Sequence, residues 1–205
     1  MMKLDHIMYS AGDLEKGVAE IEALTGVRAD YGGSHPGKGT RNALLSLGVD
    51  QYLEIIAPDP AQNLSGTMGE ELQQQNFTGI RMWAAATQGF DLVKKAIDIA
   101  GFGHHVVEMS RTRPDGVELK WQLLFVTEHP FGNHMPFFID WLSSPHPSSD
   151  CPSGCALTRF SVELLENVNL FQTFIDALEL DVEVLEGPDS MRAVVESPNG
   201  RVMLH

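Results

Sequence analysis

The sequence is short of cysteine, of basic residues and of long apolar runs, and each shortage excludes a class of protein. Cys151 and Cys155, its only cysteines, fit neither a disulfide framework, a CxxC redox motif nor a zinc site, which favours the reducing cytoplasm. The 14 Lys and Arg against 28 Asp and Glu give a formal net charge of −14, which argues against phosphate-rich partners. No apolar run is long enough to span a bilayer, and residues 1–10 do not have the pattern of a secretion signal. We therefore expect a cytoplasmic protein that binds neither nucleic acid nor membrane.

The order of predicted elements repeats three times, with a period of roughly seventy residues. Each repeat reads as a strand, a helix and three strands, judged from alternating and helical apolar spacing. The first strands span 3–10, 79–86 and 156–164, and the last span 51–57, 136–142 and 201–204. We predict a loop at the glycine-rich residues 32–39, a partly helical connector at 61–77 and a hairpin turn at 113–116. The Ser- and Pro-rich residues 143–155 are interpreted as a linker.

Glu54 is the most informative single residue, because it lies in an apolar strand. Its strand neighbours are apolar except for Gln51, and it shares a face with Tyr52 and Ile56. A carboxylate on such a face is costly to bury unless it is paired, hydrogen-bonded or bound to a metal. The sequence therefore predicts that a partner for Glu54 lies elsewhere in the fold.

Four segments carry a resemblance to a known family. Residues 4–7 (LDHI) and 52–58 (YLEIIAP) resemble the vicinal oxygen chelate superfamily, and residues 35–45 (HPGKGTRNALL) and 136–141 (PFFIDW) are similar to its glyoxalase-like domain family. The resemblance implies an α+β fold in which repeated βαβββ modules form curved mixed sheets around a cup-shaped cavity. It implies a domain at 1–142 built of two modules, about 3–58 and 78–142. Residues 143–155 are then the linker, and 156–205 match the generic module as a third copy.

The resemblance also implies a metal site on the first and last strands of each module. Carried over to this sequence, it assigns His6 and Glu54 in the first module and Asp140 in the second. Aligning Met8-Tyr9 with Met82-Trp83 places Ile80 at the fourth corner, and Ile80 cannot bind a metal. His134, just before the last strand, is the best substitute. Such a set suits Mn, Fe, Ni or Zn as a divalent cation; the alternative for Asp140 is to cap a turn before residues 143–144.

Five further residues are candidates, each with a plainer alternative. His35 is either a mobile acid or base at the rim, with Glu54 as the second catalytic group, or a solvated loop residue. Thr40 and Asn42 either bind substrate or line a polar outer face. Arg81 and Trp83 either clamp and stack on a substrate or pack against another module.

The leading hypothesis is a metal-dependent enzyme of the lyase, isomerase or dioxygenase type that acts on a small oxygen-rich or carbonyl substrate. The alternative is a metal-free binding or resistance protein that uses the same cavity, and a third interpretation is a structural member whose cavity is filled by side chains. Because three modules are an odd number for a fold built from pairs, the third either pairs across a homodimer, which we favour, or packs as an accessory.

Overall fold

The computed structural model describes residues 2–75, 77–112 and 118–205 and contains, in that part of the chain, twelve strands and four α-helices. The first module comprises β1 (Lys3–Ser10), α1 (Leu14–Thr25), β2 (Asp30–His35), β3 (Thr40–Gly48) and β4 (Gln51–Pro58). Helix α2 (Met68–Gln75) lies in the connector, as predicted. The second module comprises β5 (Gly79–Ala86), α3 (Asp91–Ala100), β6 (Gly103–Thr112), β7 (Glu118–Thr127) and β8 (Phe137–Asp140). The third comprises β9 (Ala156–Leu164), α4 (Val168–Ala177), β10 (Glu183–Glu186), β11 (Ser190–Ser197) and β12 (Gly200–Leu204).

Local signals account for the ends of α1. The Asp13 side chain accepts a hydrogen bond from Lys16 N at 3.0 Å, which satisfies one of the backbone donors at the start of the helix. Gly26 closes the helix with a φ of 78°, in the left-handed region that glycine adopts without strain. Both ends therefore depend on single residues that flank the helix.

Strand pairing confirms repeated βαβββ modules on mixed sheets. One sheet has the order β2-β3-β4-β1-β5-β8-β7-β6 and the other β10-β9-β11-β12. In the first two modules the first and last strands run parallel, and the remaining pairs are antiparallel. The third module keeps the element order, but its first strand lies between β10 and β11 instead of beside its last strand.

One predicted loop is wrong in part. Strand β2 continues through the glycines as far as His35 and pairs with β3, with a register shift between Tyr31 and Gly33. Pairing of the backbone with β3 therefore overrides the weak strand propensity of glycine, and the bulge absorbs the irregularity. The predicted turn at 113–116 lies outside the described residues.

The chain divides into two compact units that do not coincide with the modules. The His6 unit comprises His6–Arg81, Pro147–Arg159 and Arg192–His205, and the Trp83 unit comprises Met1–Asp5, Met82–His146 and Phe160–Met191. Each unit has its own core of fully buried side chains, such as Ile7 and Leu53 in the His6 unit and Phe138 and Phe171 in the Trp83 unit. Burial of each such side chain stabilises the fold by about 1.5–3 kcal/mol. No helix in the described parts of the chain has the length and apolarity needed to cross a membrane.

Candidate functional site

The site is built on the sheet of the first module, around the buried carboxylate of Glu54. Glu54 lies on β4, 7% exposed, with Leu44 of β3 and Met8 of β1 as its strand partners. Since side chains alternate along a strand, Leu44 shares its face of β3 with Thr40 and Asn42. The predicted polar face of β3 is therefore the face that carries Glu54.

Asn42 is the direct partner of Glu54. Its amide nitrogen donates to Glu54 Oε1 at 2.6 Å, and both side chains are buried. Among the described residues Asn42 Oδ1 has no hydrogen-bond partner, an arrangement that typically costs about 1–3 kcal/mol. The reverse orientation of the amide would place Oδ1 against the carboxylate oxygen. The orientation found therefore gives Glu54 Oε1 a donor instead of a second acceptor.

Gly32 makes room for this orientation. A β-carbon at position 32 would collide with Asn42 Oδ1 and with the Leu44 side chain. Only glycine leaves the Asn42 amide in place without a shift of one of these groups.

His35 extends the site from Glu54 toward solvent. Its Nε2 lies 3.2 Å from Asn42 Nδ2 and 3.7 Å from Glu54 Oε1, and its Nδ1 lies 2.9 Å from Thr40 Oγ1. The side chain is 22% exposed, whereas that of Glu54 is 9% exposed. His35 is the last residue of β2, and its ring contacts the Thr40 and Asn42 side chains of β3. It is therefore not on the mobile loop that was expected.

His6 lies on the other side of the carboxylate. Its Nε2 is 3.8 Å from Glu54 Oε2, and its ring stacks on Tyr52 with centroids 4.6 Å apart and planes 17° apart. His6 is 3% exposed. The structure thus brings His6, Glu54 and His35 together, with one imidazole near each carboxylate oxygen.

The chemistry of His6 and Glu54 suits a divalent cation, because an imidazole nitrogen and a carboxylate oxygen are ligands that first-row metals accept. The two groups lie side by side at 3.8 Å. No group of three or more His, Cys, Asp or Glu arranged to hold a metal ion is found within the described ranges. His6 and Glu54 would therefore hold such an ion only together with further ligands.

The backbone shows which residues of the second module correspond to His6 and Glu54. Ala11 N donates to Ile56 O in the first module, and Thr87 N donates to Ile139 O in the second, both at 2.9 Å. Counting back from these bonds, Met82 occupies the place of His6, and Phe137 occupies the place of Glu54. The alignment that placed Ile80 opposite His6 is therefore wrong by two residues.

Asp140 lies three residues beyond Phe137 and so on the opposite face of β8. Its two oxygens accept hydrogen bonds from Gly89 N at 2.7 Å and Leu142 N at 2.8 Å. This geometry favours the turn-capping interpretation over a role as a metal ligand. His134 ends a short 3-10 helix, with its Nδ1 3.2 Å from Phe131 O.

Arg81 and Trp83 are both engaged within the protein. Arg81 Nη1 donates to Gln75 and Nη2 lies 3.3 Å from Glu71, both on α2. Trp83 is fully buried, donates its indole N–H to His134 O at 2.8 Å and packs against Phe160 with centroids 5.3 Å apart. The geometry of Trp83 favours the packing interpretation over substrate stacking.

Sequence reasoning missed a second buried carboxylate, Asp5. Its Oδ2 accepts the Trp141 indole N–H at 2.9 Å and lies 3.1 Å from His146 Nε2, and Asp5 is 0% exposed. Asp5 carries the same signal as Glu54, a carboxylate in an apolar strand. Its partners are 136 and 141 positions away, in segments interpreted as a strand end and a linker.

Comparison with known proteins gives a family and a fold. The model of a family described as "Glyoxalase-like domain" matches residues 4–173. A solved structure of a hypothetical protein from Staphylococcus aureus is similar over 99% of this chain and 84% of that chain, with a TM-score of 0.69 and 18% identity. No curated protein matches the sequence.

Two similar structures are of methylmalonyl-CoA epimerase. One, in complex with methylmalonyl-CoA and NH4+, has a TM-score of 0.51 at 20% identity over 72% of this chain and 99% of that chain. The other, a variant of the Streptomyces coelicolor protein in complex with 2-nitronate-propionyl-CoA, has a TM-score of 0.50 at 20% identity over 70% of this chain and 97% of that chain. At this level of identity the similarity concerns the fold.

Proposed function

Because the chain belongs to the glyoxalase-like domain family, we propose that it is an enzyme that moves a proton at a carbon next to a carbonyl group of a small, oxygen-rich substrate. The observation that supports this proposal is the buried Glu54, bonded to Asn42 at 2.6 Å and flanked by imidazole nitrogens at 3.7 and 3.8 Å. A buried carboxyl group beside two imidazoles is a set of groups suited to general acid–base catalysis.

Each residue takes a defined part in the proposed reaction. Glu54 Oε2, on the side of the carboxylate that His6 faces, removes the proton from carbon. Oε1 stays bonded to Asn42, which keeps the carboxylate in one orientation. His35 exchanges protons with solvent, because it is the most exposed of the three ionisable groups. Thr40 and Asn42 then orient His35 and Glu54, in place of the substrate contacts expected from the sequence.

The proposal includes the divalent metal that the resemblance predicts. His6 and Glu54 are the residues that would hold a divalent cation. When bound, the cation acts as a Lewis acid on the substrate oxygens. Elemental analysis of protein supplemented with Mn, Fe, Ni or Zn is expected to show retained metal in the wild type and loss in His6→Ala and Glu54→Ala.

The isomerase type is the first activity to test, since two solved structures with this fold are of an epimerase. The probes are methylmalonyl-CoA, 2-oxo acids and 2-hydroxy aldehydes in D₂O, with deuterium incorporation at the carbon next to the carbonyl followed by NMR. Loss of the base in Glu54→Gln is expected to slow incorporation about 10²–10⁴-fold. Ser46→Ala, on the same face of β3, is the matched control and should retain the wild-type rate. Equal rates in wild type and Glu54→Gln would contradict the role of Glu54.

A second candidate function is a metal-free protein that binds a small molecule at the same site. It is favoured by one observation, that no group of three or more His, Cys, Asp or Glu in the described chain is arranged to hold a metal ion. Binding of a carbonyl probe without deuterium incorporation, by protein that retains no metal, would support this candidate. The homodimer, the cytoplasmic location and the division into a 1–142 domain, a linker and a third module stay predictions.

A further inference from the structure

We infer that Asn42 is a positioning residue that fixes which ring nitrogen of His35 carries the proton, so that a bare Nε2 faces Glu54. The inference deepens the proposed function, since it concerns the same site, but it is tested without any substrate.

The amide of Asn42 stands between two groups that both need a donor. Its nitrogen lies 2.6 Å from Glu54 Oε1 and 3.2 Å from His35 Nε2. The two amide hydrogens suffice for one bond to each. A proton on His35 Nε2 would point at an amide N–H, donor against donor, so Nε2 acts as the acceptor.

The other ring nitrogen fits the same assignment. His35 Nδ1 lies 2.9 Å from Thr40 Oγ1, a hydroxyl oxygen that can accept the Nδ1–H bond. Thr40 is 1% exposed, so water does not compete readily for this oxygen. Which imidazole nitrogen is protonated follows from the bond that the other nitrogen makes. The Asn42 amide donor selects a bare Nε2, and the Thr40 hydroxyl, which can donate or accept, accommodates the resulting Nδ1–H.

The unpartnered oxygen of Asn42 strengthens the assignment. Asn42 Oδ1 is buried and unpartnered within the described residues, and Gly32 leaves space beside it. Turning the amide would place Oδ1 against Glu54 Oε1, acceptor against acceptor, whichever nitrogen of His35 carries the proton. In this orientation Asn42 Oδ1 has no partner among the described residues, while both amide hydrogens face Glu54 and His35.

The groups that face His35 and Glu54 from the neighbouring strands can be named. His6 approaches Glu54 from β1, and Asn42 approaches both from β3. His6 is the additional titratable group at the site, and it lies beside Oε2, whereas Asn42 and His35 lie beside Oε1.

The test is ¹⁵N NMR of protein with labelled imidazole rings at about pH 8, where an ordinary histidine is neutral. The ¹⁵N shifts distinguish a protonated ring nitrogen from a bare one, and the His35 signals among the eight histidines are assigned by their loss in His35→Gln. We expect Nδ1–H to be the dominant form in the wild type, although a free neutral imidazole in water favours Nε2–H. A dominant Nε2–H form in the wild type would overturn the inference.

Two variants separate positioning from packing. Asn42→Asp has nearly the same shape but offers an acceptor to Nε2, so the bare-Nε2 signal should be lost in favour of Nε2–H. Asn42→Leu removes both donors and should return His35 to the ordinary preference, while Ser46→Ala should keep the wild-type form. Retention of the Nδ1–H form in folded Asn42→Asp and Asn42→Leu would show that Asn42 does not select it. If the wild-type form is Nδ1–H but no probe exchanges deuterium, the proposed function fails and the positioning role stands.

Discussion

The first and second modules have the same strand pairing but carry opposite chemistry at matching positions. His6 and Glu54 of the first correspond to Met82 and Phe137 of the second, by the hydrogen bonds that end β1 and β5. The partner of Ile139 on β7 is Leu123, which therefore matches Asn42, the partner of Ile56 on β3. The comparison teaches that the βαβββ backbone does not by itself require polar residues at these places. The first module holds them because each has a partner.

The sharpest test places the carboxylate in the second module. Phe137 is 5% exposed and stacks on Phe125 with centroids 5.4 Å apart. Phe137→Glu would bury a carboxylate without a donor, because Leu123 occupies the position that matches Asn42. We expect the free energy of unfolding, measured by urea denaturation, to fall by about 3–5 kcal/mol.

The matched variant is Phe137→Glu combined with Leu123→Asn, which restores the donor found in the first module. It should recover part of the lost stability, whereas Leu123→Asn alone should destabilise. A loss below about 1 kcal/mol in Phe137→Glu alone would mean that this position tolerates a carboxylate without the donor.

A smaller effect is expected at Asp5, where a buried carboxylate is paired with Trp141 in the Trp83 unit. Trp141→Phe keeps the aromatic packing but removes the donor at 2.9 Å, so the free energy of unfolding should fall by about 1–3 kcal/mol. Trp121→Phe is the control, since Trp121 packs against Trp141 with centroids 5.6 Å apart. Equal losses in the two variants would assign the effect to packing instead of the bond to Asp5.

The smallest effect concerns His129, which lies among aromatic rings, whereas His6 and His35 lie beside a carboxylate. Burial lowers the pKa of His129 below its ordinary value of 6.5, against a hydrogen bond with the Val126 backbone that raises it. Just below pH 6.5 the unfolded chain therefore binds more protons at this residue than the folded chain. Stability should fall as the pH drops through this range and level off below the folded pKa.

The measurement is urea denaturation of wild type and His129→Asn between about pH 8 and pH 5, across the range in which histidine titrates. In the wild type, Phe131 N–H donates a hydrogen bond to His129 Nδ1 at 3.2 Å. The Asn side chain of the variant keeps an acceptor for this N–H. The variant should show a weaker dependence on pH, and an unchanged dependence would contradict the assignment to His129.

Much of the fold could be predicted from the sequence, because its signals are local. The N-cap at Asp13, the left-handed Gly26 and the alternating pattern of β1 and β4 each act within a few residues. The end of β2 at His35 and the strand order of the third module depend on pairing between distant segments, which no local pattern reports.

The candidate site could be predicted only in part, for the same reason. Glu54 was singled out by its apolar strand, whereas the hydrogen bonds from Asn42 to Glu54 and His35 depend on register across β2, β3 and β4. The pairing of Met8-Tyr9 with Met82-Trp83 rested on similar residues. A shift of two residues keeps the face of a strand, so that error was invisible in the alternation pattern.

The missing β-carbon at position 32 has a consequence for how relatives of this protein can vary. A larger residue there would push the Asn42 amide out of its place, so the identities of two positions ten residues apart are linked by space alone. Relatives that keep asparagine at the second position should keep glycine at the first, whereas those that replace the glycine must also make room beside Leu44. An alignment of relatives would then reveal this linkage as covariation, even where no activity has been measured.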